Sequence, residues 1–366
     1  MNDSPEFALD TEIHAPVYDT ISISEITDEL LKSENTLILT HVNPDGDCIG
    51  SACALREIIL ALGKKASVAC PSTLPKRLRF LTVSTGEGVP ESDDIHAFFT
   101  PSDDNTDGFD KIISVDVASP MQLGDNAFLI PKIDFMIDHH GIGEAFAKNY
   151  VDPTASASGE IIYEIYTELK NRGKISSVPD AARKIYAAIV SDTGSFKFSN
   201  TTEKTHIVAS QLLTEINSAD DGGMDTSDVC RSLFGQRTMK ELTAQMLAIQ
   251  NLRFYEDGRL GAVLFTQQML ADAGLTEDDI GNVVDTPRGV EGVLVGISLR
   301  QLSCDMRQYK VSSRANADID CAAVCASYGG GGHVRAAGCT IEANSPEEAL
   351  EMMASAFGEA VRNYGK

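Results

Sequence analysis

With 366 residues and 43% hydrophobic content, the chain has the length of two domains and the composition of an ordinary globular protein. Its formal net charge of −24 argues against binding to long nucleic acid, because such binding depends on Lys and Arg neutralising phosphates. No apolar run approaches the roughly 20 residues of a membrane span, and the acidic N-terminus MNDSPEFALDTEIHAP lacks the apolar core of a signal peptide. We therefore expect a cytoplasmic protein without membrane association.

The first half of the chain alternates between strand and helix patterns. Buried strands are predicted for TLILTHV (36–42), KIISVDVAS (111–119) and FMIDHH (135–140). The segment SACALREIILALGKK has the spacing of an amphipathic helix, and GEIIYEIYTELK and AARKIYAAIV are also predicted to be helical. This alternation predicts an α/β domain with a mainly parallel sheet and helices on both faces. Ligand sites of such sheets lie at the carboxyl ends of the strands.

A different pattern follows in the C-terminal part of the chain. The segment LRFYEDGRLGAVLF predicts a hairpin that turns at Asp257 and Gly258, and EGVLVGISLRQ and YKVSSRA predict further strands. Ser345, Pro346 and Glu348 form the start signal of a last helix. These elements predict a smaller α/β domain with a mixed sheet.

The composition also suggests where the domains begin and end. We predict an N-terminal extension over 1–20, a larger domain over 21–216, a linker with a connecting helix over 217–250, and the smaller domain over 251–366. The acidic stretches 90–108 and 217–228 are predicted to be solvated loops.

The eight cysteines are dispersed along the chain and contain no Cys-x-x-Cys pair. This spacing argues against a zinc finger and against a disulfide framework, so reduced structural thiols are expected. Cys321 and Cys325 are spaced for one face of a helix and are expected to pack there.

The stretch THVNPDGDCIGSACAL places His41, Asp45 and Asp47 directly after the first predicted strand. The turn at Pro44 would bring both aspartates toward the sheet edge, and Gly50 and Ser51 would let the next helix begin close to that edge. Imidazole and carboxylate ligands together suit a divalent ion such as Mn²⁺ or Mg²⁺. Taken alone, the segment also fits a helix cap beside a structural histidine.

Further clusters make the metal interpretation stronger. Asp116 ends the second predicted strand, Asp138, His139 and His140 end the third, and Asp192 follows the apolar segment IYAAIV. Without compensation, so many carboxylates at one edge would repel one another and their pKa values would rise. Two divalent ions would compensate this charge.

These segments resemble a known family. HVNPDGDCIGS, the end of the strand at Asp116, DHH (138–140) and SDTG (191–194) resemble the four motifs of the DHH phosphoesterase superfamily, in the expected order. The segment YGGGGHVRAAG (328–338) resembles the glycine-rich signature of the DHH-associated domain. The chain length and the short linker resemble the nanoRNase/pAp phosphatase subfamily. The resemblance implies hydrolysis of very short oligonucleotides to mononucleotides, and of 3′-phosphoadenosine 5′-phosphate (pAp) to AMP.

The resemblance also implies a set of metal ligands. One ion would be bound by His41, Asp45 and Asp116, and the ligands of the second would be Asp47, Asp116, His139 and Asp192. Asp116 would bridge two ions about 3.5 to 4 Å apart, with Mn²⁺ expected and Mg²⁺ as the alternative. A water molecule between them would attack phosphorus in line with the leaving oxygen.

Substrate-binding residues are implied as well. His140 would contact the substrate phosphate and stabilise charge or protonate the leaving oxygen; the alternative is a hydrogen bond that supports a neighbouring ligand. Arg314 in KVSSRAN matches the substrate-binding arginine of the family, although Ser-Arg-Ala replaces the usual Leu-Arg-Ser. The glycine run and the histidine after it are expected to bind an anion through backbone N–H groups at a helix start, and they comprise Gly329, Gly330, Gly331, Gly332 and His333.

In this architecture the phosphate-binding loop faces the metal site across an active-site cleft between the domains. The finite depth of the cleft would limit substrates to a few nucleotides without base-specific contacts. Tyr328 would stack on a base or pack in the core. His14, His96 and His206 lie outside the motifs and are expected to be non-catalytic.

Several alternatives stay open. The first is a phosphodiesterase specific for the linear dinucleotides pGpG or pApA. A RecJ-type exonuclease is disfavoured by the short acidic chain, a family II pyrophosphatase by the glycine-rich signature with His333, and a membrane cyclic-dinucleotide phosphodiesterase by the lack of spans. An inactive nucleotide-binding regulatory protein is disfavoured because all the metal motifs are present. The oligomeric state is open, and a homodimer is one option.

Overall fold

The computed structural model of the chain describes residues 18–85, 98–102, 105–281, 283–302 and 305–364. It divides into two compact units, Met1–Gln236 and Arg237–Lys366. The division falls inside the segment that the sequence predicts to be a linker with a connecting helix. Among the described helices, none combines the length and the apolar character needed to cross a membrane.

The first unit is an α/β domain built on a five-stranded sheet. Its helices and strands are, in chain order, α1 (Ile23–Lys32), β1 (Asn35–Leu39), α2 (Gly46–Ala61), β2 (Lys65–Ala69), β3 (Lys111–Val115), β4 (Phe135–Asp138), β5 (Lys148–Val151), α3 (Ser158–Asn171), α4 (Pro179–Asp192), α5 (Glu203–Ser218) and α6 (Thr226–Cys230). The strand order is β2-β1-β3-β4-β5, and all neighbouring strands are parallel. The predicted parallel sheet with flanking helices is therefore confirmed.

The two faces of this sheet are covered differently. Successive side chains of a strand point to opposite faces, so Ile38 packs with the helical side while Leu37 and Leu39 pack on the other. Residues of α1 to α4 cover the first face, whereas the 3₁₀ segment Pro120–Lys132 contributes to the cover of the second. Helices were expected on both faces, and the second face has tight 3₁₀ turns in place of long α-helices.

Helix α2 begins earlier than the pattern predicted, at Gly46 and not after Ser51. Asp45 caps the helix by accepting a hydrogen bond from the backbone N–H of Cys48, so Asp47 lies in the first turn. The helix is buried on nearly all sides and is not amphipathic. Gly50 serves helix packing, because a Cβ at this position would lie 2.8 Å from the carbonyl oxygen of Lys184 on α4.

The described residues of the two acidic stretches lie mostly outside helices and strands, as predicted, but they also make tertiary contacts. Residues 90–97, 103 and 104 of the first stretch lie outside the described residues, whereas Phe99 packs edge-on against Phe109 with ring centroids 4.9 Å apart. In the second stretch, the carboxylate of Asp221 accepts hydrogen bonds from both terminal nitrogens of the buried Arg183. These contacts attach both stretches to the first unit.

The second unit contains a six-stranded sheet and six described α-helices. Its elements are α7 (Met239–Gln250), β6 (Arg253–Tyr255), β7 (Leu260–Phe265), α8 (Gln267–Asp272), α9 (Glu277–Ile280), α10 (Asp285–Arg288), β8 (Val295–Gln301), β9 (Gln308–Ala315), α11 (Cys321–Ala326), β10 (Gly331–His333), β11 (Ala336–Glu342) and α12 (Pro346–Asn363). The strand order is β10-β11-β9-β8-β7-β6, with one parallel pair, β7 and β8. The mixed sheet and the turn at Asp257, whose φ is 54°, are as predicted.

The glycine run does not begin a helix, so that prediction was wrong. Helix α11 ends before the run, and Gly331–His333 form the edge strand β10, which pairs with β11. Gly330 is required by packing, because a Cβ there would lie 2.2 Å from the carbonyl oxygen of Gly338. The structure does confirm that Cys321 and Cys325 are buried on α11.

Candidate metal centre

The carboxyl edge of the parallel sheet gathers the acidic and imidazole side chains of the first unit. Asp116 directly follows β3, and His139 directly follows β4. Asp47 reaches the same place from the first turn of α2, and Asp192 from the last residue of α4. The clustering follows from the topology, because parallel strands end at one edge and the connected helices begin or end there.

The carboxylate of Asp116 lies between two imidazoles. Its Oδ2 atom is 3.5 Å from Nε2 of His41, and its Oδ1 atom is 3.7 Å from Nε2 of His139. The same Nε2 of His139 lies 3.7 Å from Oδ2 of Asp47 and 3.8 Å from Oδ2 of Asp192. The two oxygens of Asp116 thus face two neighbouring sets of ligand atoms, as a bridging carboxylate would.

Asp116 adopts a backbone conformation that side-chain-bearing residues seldom adopt. Its φ is 62°, and its N–H donates a hydrogen bond to the carbonyl of Ile137, which holds the turn. Burial opposes ionisation, but His41 and the charges of His139 and His140 prevail and lower the pKa of the Asp116 carboxyl. The sheet edge therefore holds this residue as a carboxylate in one orientation.

Asp47 is oriented by the start of α3, a contact that the sequence interpretation missed. The backbone N–H groups of Ser158 and Gly159 donate to its two oxygens at 2.7 and 3.0 Å, and the Ser51 hydroxyl donates at 2.8 Å. The Ser158 hydroxyl also donates to Oδ1 of Asp116 at 2.9 Å. The sequence signal was the small-residue segment ASASGE before a predicted helix, where unpaired N–H groups are available to carboxylates.

The carboxylates of the cluster have raised pKa values, with the exception of Asp116. Burial, together with the charges of Asp116 and Asp192, raises the pKa of Asp47 well above its usual value. Burial also raises the pKa of Asp192 to about 6. Burial and the nearby Asp116 raise the pKa of Asp45. These shifts reflect first the burial of the carboxylates and then their mutual repulsion.

The histidine rings are oriented by carbonyl groups. Nδ1 of His41 lies 2.7 Å from the carbonyl of Val42, and Nδ1 of His139 lies 3.2 Å from the carbonyl of Ala155. A carbonyl only accepts, so Nδ1 of each ring carries a hydrogen and Nε2 is the atom that faces the carboxylates, where a neutral ring would offer its lone pair to a cation. This is the arrangement of metal-binding imidazoles.

His140 differs from its neighbour. Its Nδ1 atom lies 2.7 Å from Oδ1 of Asp138 and 3.8 Å from Oδ1 of Asp116, and its side chain is 40% exposed. The hydrogen bond to Asp138 raises the pKa of His140 to about 9. Asp138 also accepts from the N–H of His139, so this carboxylate orients both residues.

The ligand atoms fit one or more divalent cations. Three groups of side chains bring their ligand atoms within 4.8 Å of one another: His41, Cys48 and Asp116; Asp116, His139 and His140; and Asp47, His139 and Asp192. Oxygen and imidazole nitrogen suit divalent ions, and a cation would reverse the repulsion that raises the carboxylate pKa values. Beside Asp192, the buried Oδ1 of Asn200 has no hydrogen-bond partner among the described residues, so one acceptor next to the cluster is unsatisfied.

One predicted ligand is placed differently from the others. Asp45 uses one oxygen to cap α2 and is absent from the three groups of mutually close ligand atoms, while the thiol of Cys48 is present in one of them. Burial raises the pKa of Cys48 well above its usual value, which keeps the thiol protonated in the absence of a cation. Five of the six predicted ligands therefore belong to at least one group of mutually close ligand atoms.

The predicted phosphate-binding residues lie in the second unit. Arg314 on β9 pairs with Ala336 on β11, which in turn pairs with His333 on β10. Directly paired residues of antiparallel strands share a face, so Arg314 and His333 lie on one face of the sheet, two strands apart. Arg314 is partly buried and donates to the Ser313 carbonyl, whereas His333 is exposed.

His206 and Tyr328 do not belong to these clusters. His206 is exposed on α5, and its ring stacks on Phe196 with centroids 5.3 Å apart. Tyr328 is partly buried against the hydrophobic core of the second unit. His14 and His96 lie outside the described residues.

The fold and the edge cluster agree with the comparison to protein families. Residues 35–189 match the DHH family, N-terminal domain, and residues 261–359 match the DHHA1 domain. The chain belongs to the DHH family. It is 30% identical over 333 residues to the bifunctional oligoribonuclease and PAP phosphatase NrnA of Thermus thermophilus, covering 90% of each chain.

Two further comparisons extend this finding. The chain is 29% identical over 313 residues to the bifunctional oligoribonuclease and PAP phosphatase NrnA of Bacillus subtilis, covering 84% of this chain and 90% of the relative. An exopolyphosphatase-related protein of Bacteroides fragilis has a similar crystal structure, with a TM-score of 0.75, 22% identity and coverage of 93% and 96%. This last similarity concerns the fold alone.

Proposed function

We propose that this chain is a metal-dependent phosphoesterase that hydrolyses oligonucleotides of a few residues to mononucleotides and converts pAp to AMP. Two relatives that match most of its length are named as oligoribonucleases and PAP phosphatases. The observation that carries the proposal is the position of Asp116, whose two oxygens face two sets of ligand atoms. A single structural ion would not require a carboxylate with both oxygens committed in this way.

The proposed ligands follow from this position. One ion would be bound by His41, Asp45 and Asp116. The other would be bound by Asp47, Asp116, His139 and Asp192. Asp45 would use the oxygen that does not cap α2. Divalent ions bound here would polarise the phosphoryl oxygens and activate water for in-line attack. Imidazole ligands favour Mn²⁺ over Mg²⁺, because nitrogen binds the softer ion better.

Hydrogen bonds within the protein orient the proposed ligands and His140. The N–H groups at the start of α3 hold Asp47, and the Ser158 hydroxyl holds Asp116, so the ligands need no rearrangement. Asp138 fixes the ring of His140, whose exposed side chain is available to the substrate phosphate. A protonated imidazole there would stabilise developing charge or donate a proton to the leaving oxygen.

Arg314 and His333 are proposed to bind the part of the substrate that does not react. They lie on one face of the second sheet, beside the glycine-rich edge strand. Guanidinium suits phosphate contact, and the glycines let a ligand approach the backbone closely. Contacts of this kind with the non-reacting part of the substrate would favour short substrates over long strands. Cytoplasmic location and homodimer formation remain predictions from the sequence.

A substrate series tests this function. With Mn²⁺ we expect release of phosphate from pAp and of mononucleotides from RNA dinucleotides through pentamers, and a much lower rate on a long single strand. The same series in DNA measures sugar preference, and samples with excess chelator serve as the control. Faster hydrolysis of long strands, or no product from pAp and dinucleotides, would contradict the proposal.

A further inference from the structure

The loop that follows Asp192 contains three consecutive residues in the left-handed region of backbone conformation. The φ values are 55° at Gly194, 63° at Ser195 and 62° at Phe196. Glycine adopts this region freely, but Ser and Phe do so at a cost of about 1 to 3 kcal/mol each. A turn of this kind persists only when the surrounding contacts maintain it.

Those contacts are present on both sides of the turn. The carbonyl of Thr193 accepts hydrogen bonds from the N–H groups of Lys197 and Phe198, at 2.9 and 3.0 Å, and closes the loop. The ring of Phe196 lies between Tyr186 and His206, with centroid distances of 6.3 and 5.3 Å. The first aromatic ring of the loop is thus anchored against the body of the domain.

The far end of the loop is tied to the metal centre. Nδ2 of Asn200 lies 3.2 Å from the carbonyl oxygen and 3.2 Å from Oδ2 of Asp192, and it also donates to the Ser156 carbonyl at 2.9 Å. Residues 193–199 therefore form a closed loop whose two ends meet at a predicted metal ligand. The conformation of the loop is coupled to the position of that ligand.

The result of this geometry is the placement of Phe198. Its ring lies on Gly194, where an added Cβ would be 2.4 to 2.7 Å from three ring atoms. Although seated in this way, Phe198 remains 53% exposed. Gly194 follows Asp192 by two residues, so their Cα atoms are at most about 7 Å apart. A partly exposed aromatic ring is thus seated on Gly194, two residues after a proposed metal ligand.

We propose that Phe198 is a stacking platform for a nucleobase of the substrate. The inference rests on the proposed function and adds a binding subsite to it. Aromatic rings bind bases of any sequence through their faces, and an adjacent cation commonly assists. Lys197, the exposed residue before Phe198, is such a cation. Exposed apolar residues occur singly on most proteins, but this one requires a strained turn and a glycine seat.

Stacking predicts a loss that depends on the base. Replacing Phe198 by alanine should weaken binding of a diadenylate with a non-hydrolysable linkage by about fivefold to a hundredfold, the range found for removal of one stacked ring. Inhibition by ribose 5-phosphate, which has a phosphate but no base, should remain within about twofold of wild type. KM for pAp should rise with little change in kcat, because the ring does not touch the reacting atoms.

Conservative variants separate stacking from simple packing. Phe198→Tyr should retain the affinity, whereas Phe198→Leu, which is apolar but has no ring, should lose it. The matched control is Phe128, a 40% exposed residue of the 3₁₀ segment Pro120–Lys132. Phe128→Ala should bind the diadenylate as the wild type does. Metal content should be equal in all variants.

Three results would overturn the inference while leaving the proposed function intact. The first is wild-type affinity for the diadenylate in Phe198→Ala, and the second is full affinity in Phe198→Leu, which would show that apolar bulk suffices. The third is an equal loss for diadenylate and ribose 5-phosphate, which would assign Phe198 a structural role instead. If the wild-type protein hydrolyses neither pAp nor dinucleotides with Mn²⁺, the proposed function fails and this subsite fails with it.

Discussion

Replacing Asp116 by alanine is expected to lower turnover of pAp and of dinucleotides by about a thousandfold or more. Its two oxygens face His41 and His139, so its removal takes one ligand from each proposed ion. Electrostatic stabilisation by bound metal is worth several kcal/mol, and each 1.36 kcal/mol corresponds to a factor of ten in rate. Steady-state kinetics and metal analysis on the same samples measure both consequences.

Asp125→Ala is the matched control for this experiment. Asp125 is an exposed carboxylate of the same unit, so its replacement changes the net charge equally without touching the centre. We expect wild-type turnover and metal content for it. If Asp116→Ala retained more than about a tenth of wild-type turnover and bound metal normally, the bridging role of Asp116 would be excluded.

Replacing His140 by asparagine is expected to reduce kcat by about a hundredfold to ten-thousandfold, the usual contribution of a positioned proton donor. The ring is held by Asp138 and is exposed, whereas His139 is held with Nε2 facing three carboxylates. The loss should therefore appear in kcat with the metal stoichiometry unchanged. Metal binding and single-turnover rates distinguish this result from a loss of ligands.

His206→Phe provides the comparison for that variant. His206 is an exposed histidine of the same unit that stacks on Phe196 and does not belong to the carboxylate cluster. Phenylalanine keeps a ring against Phe196, so kcat should stay within about twofold of wild type. If His140→Asn lost metal, the residue would be a ligand; if kcat were unchanged, the proposed contact with the phosphate would be wrong.

The sequence predicted those parts of the centre that local chemistry and strand order determine. Asp116 and His139 follow apolar segments that form parallel strands, and parallel strands end at one edge. The proximity of these two residues could therefore be predicted without knowledge of side-chain packing. The mixed second sheet followed in the same way from recognisable strands and a hairpin turn at Asp257 and Gly258.

The supporting contacts depend on packing and could not be predicted in this way. Ser158 and Gly159 lie 111 and 112 residues from Asp47, and they reach it only because α3 begins beside the first turn of α2. The seat of Phe198 on Gly194 depends on a left-handed turn that no alternation of apolar residues reveals. The glycine run was predicted at a helix start because glycines suit anion-binding loops, whereas pairing with β11 makes it an edge strand.

The central claim is that the edge cluster binds two divalent ions and that both are required for hydrolysis. It is tested most directly by titrating the metal-free protein with Mn²⁺ while measuring bound metal and pAp hydrolysis in the same samples. The proposed arrangement predicts two ions bound per chain, with no turnover in the metal-free protein and full turnover only when both sites are filled. Full turnover with one ion bound, or in protein that metal analysis shows to be empty, would contradict it.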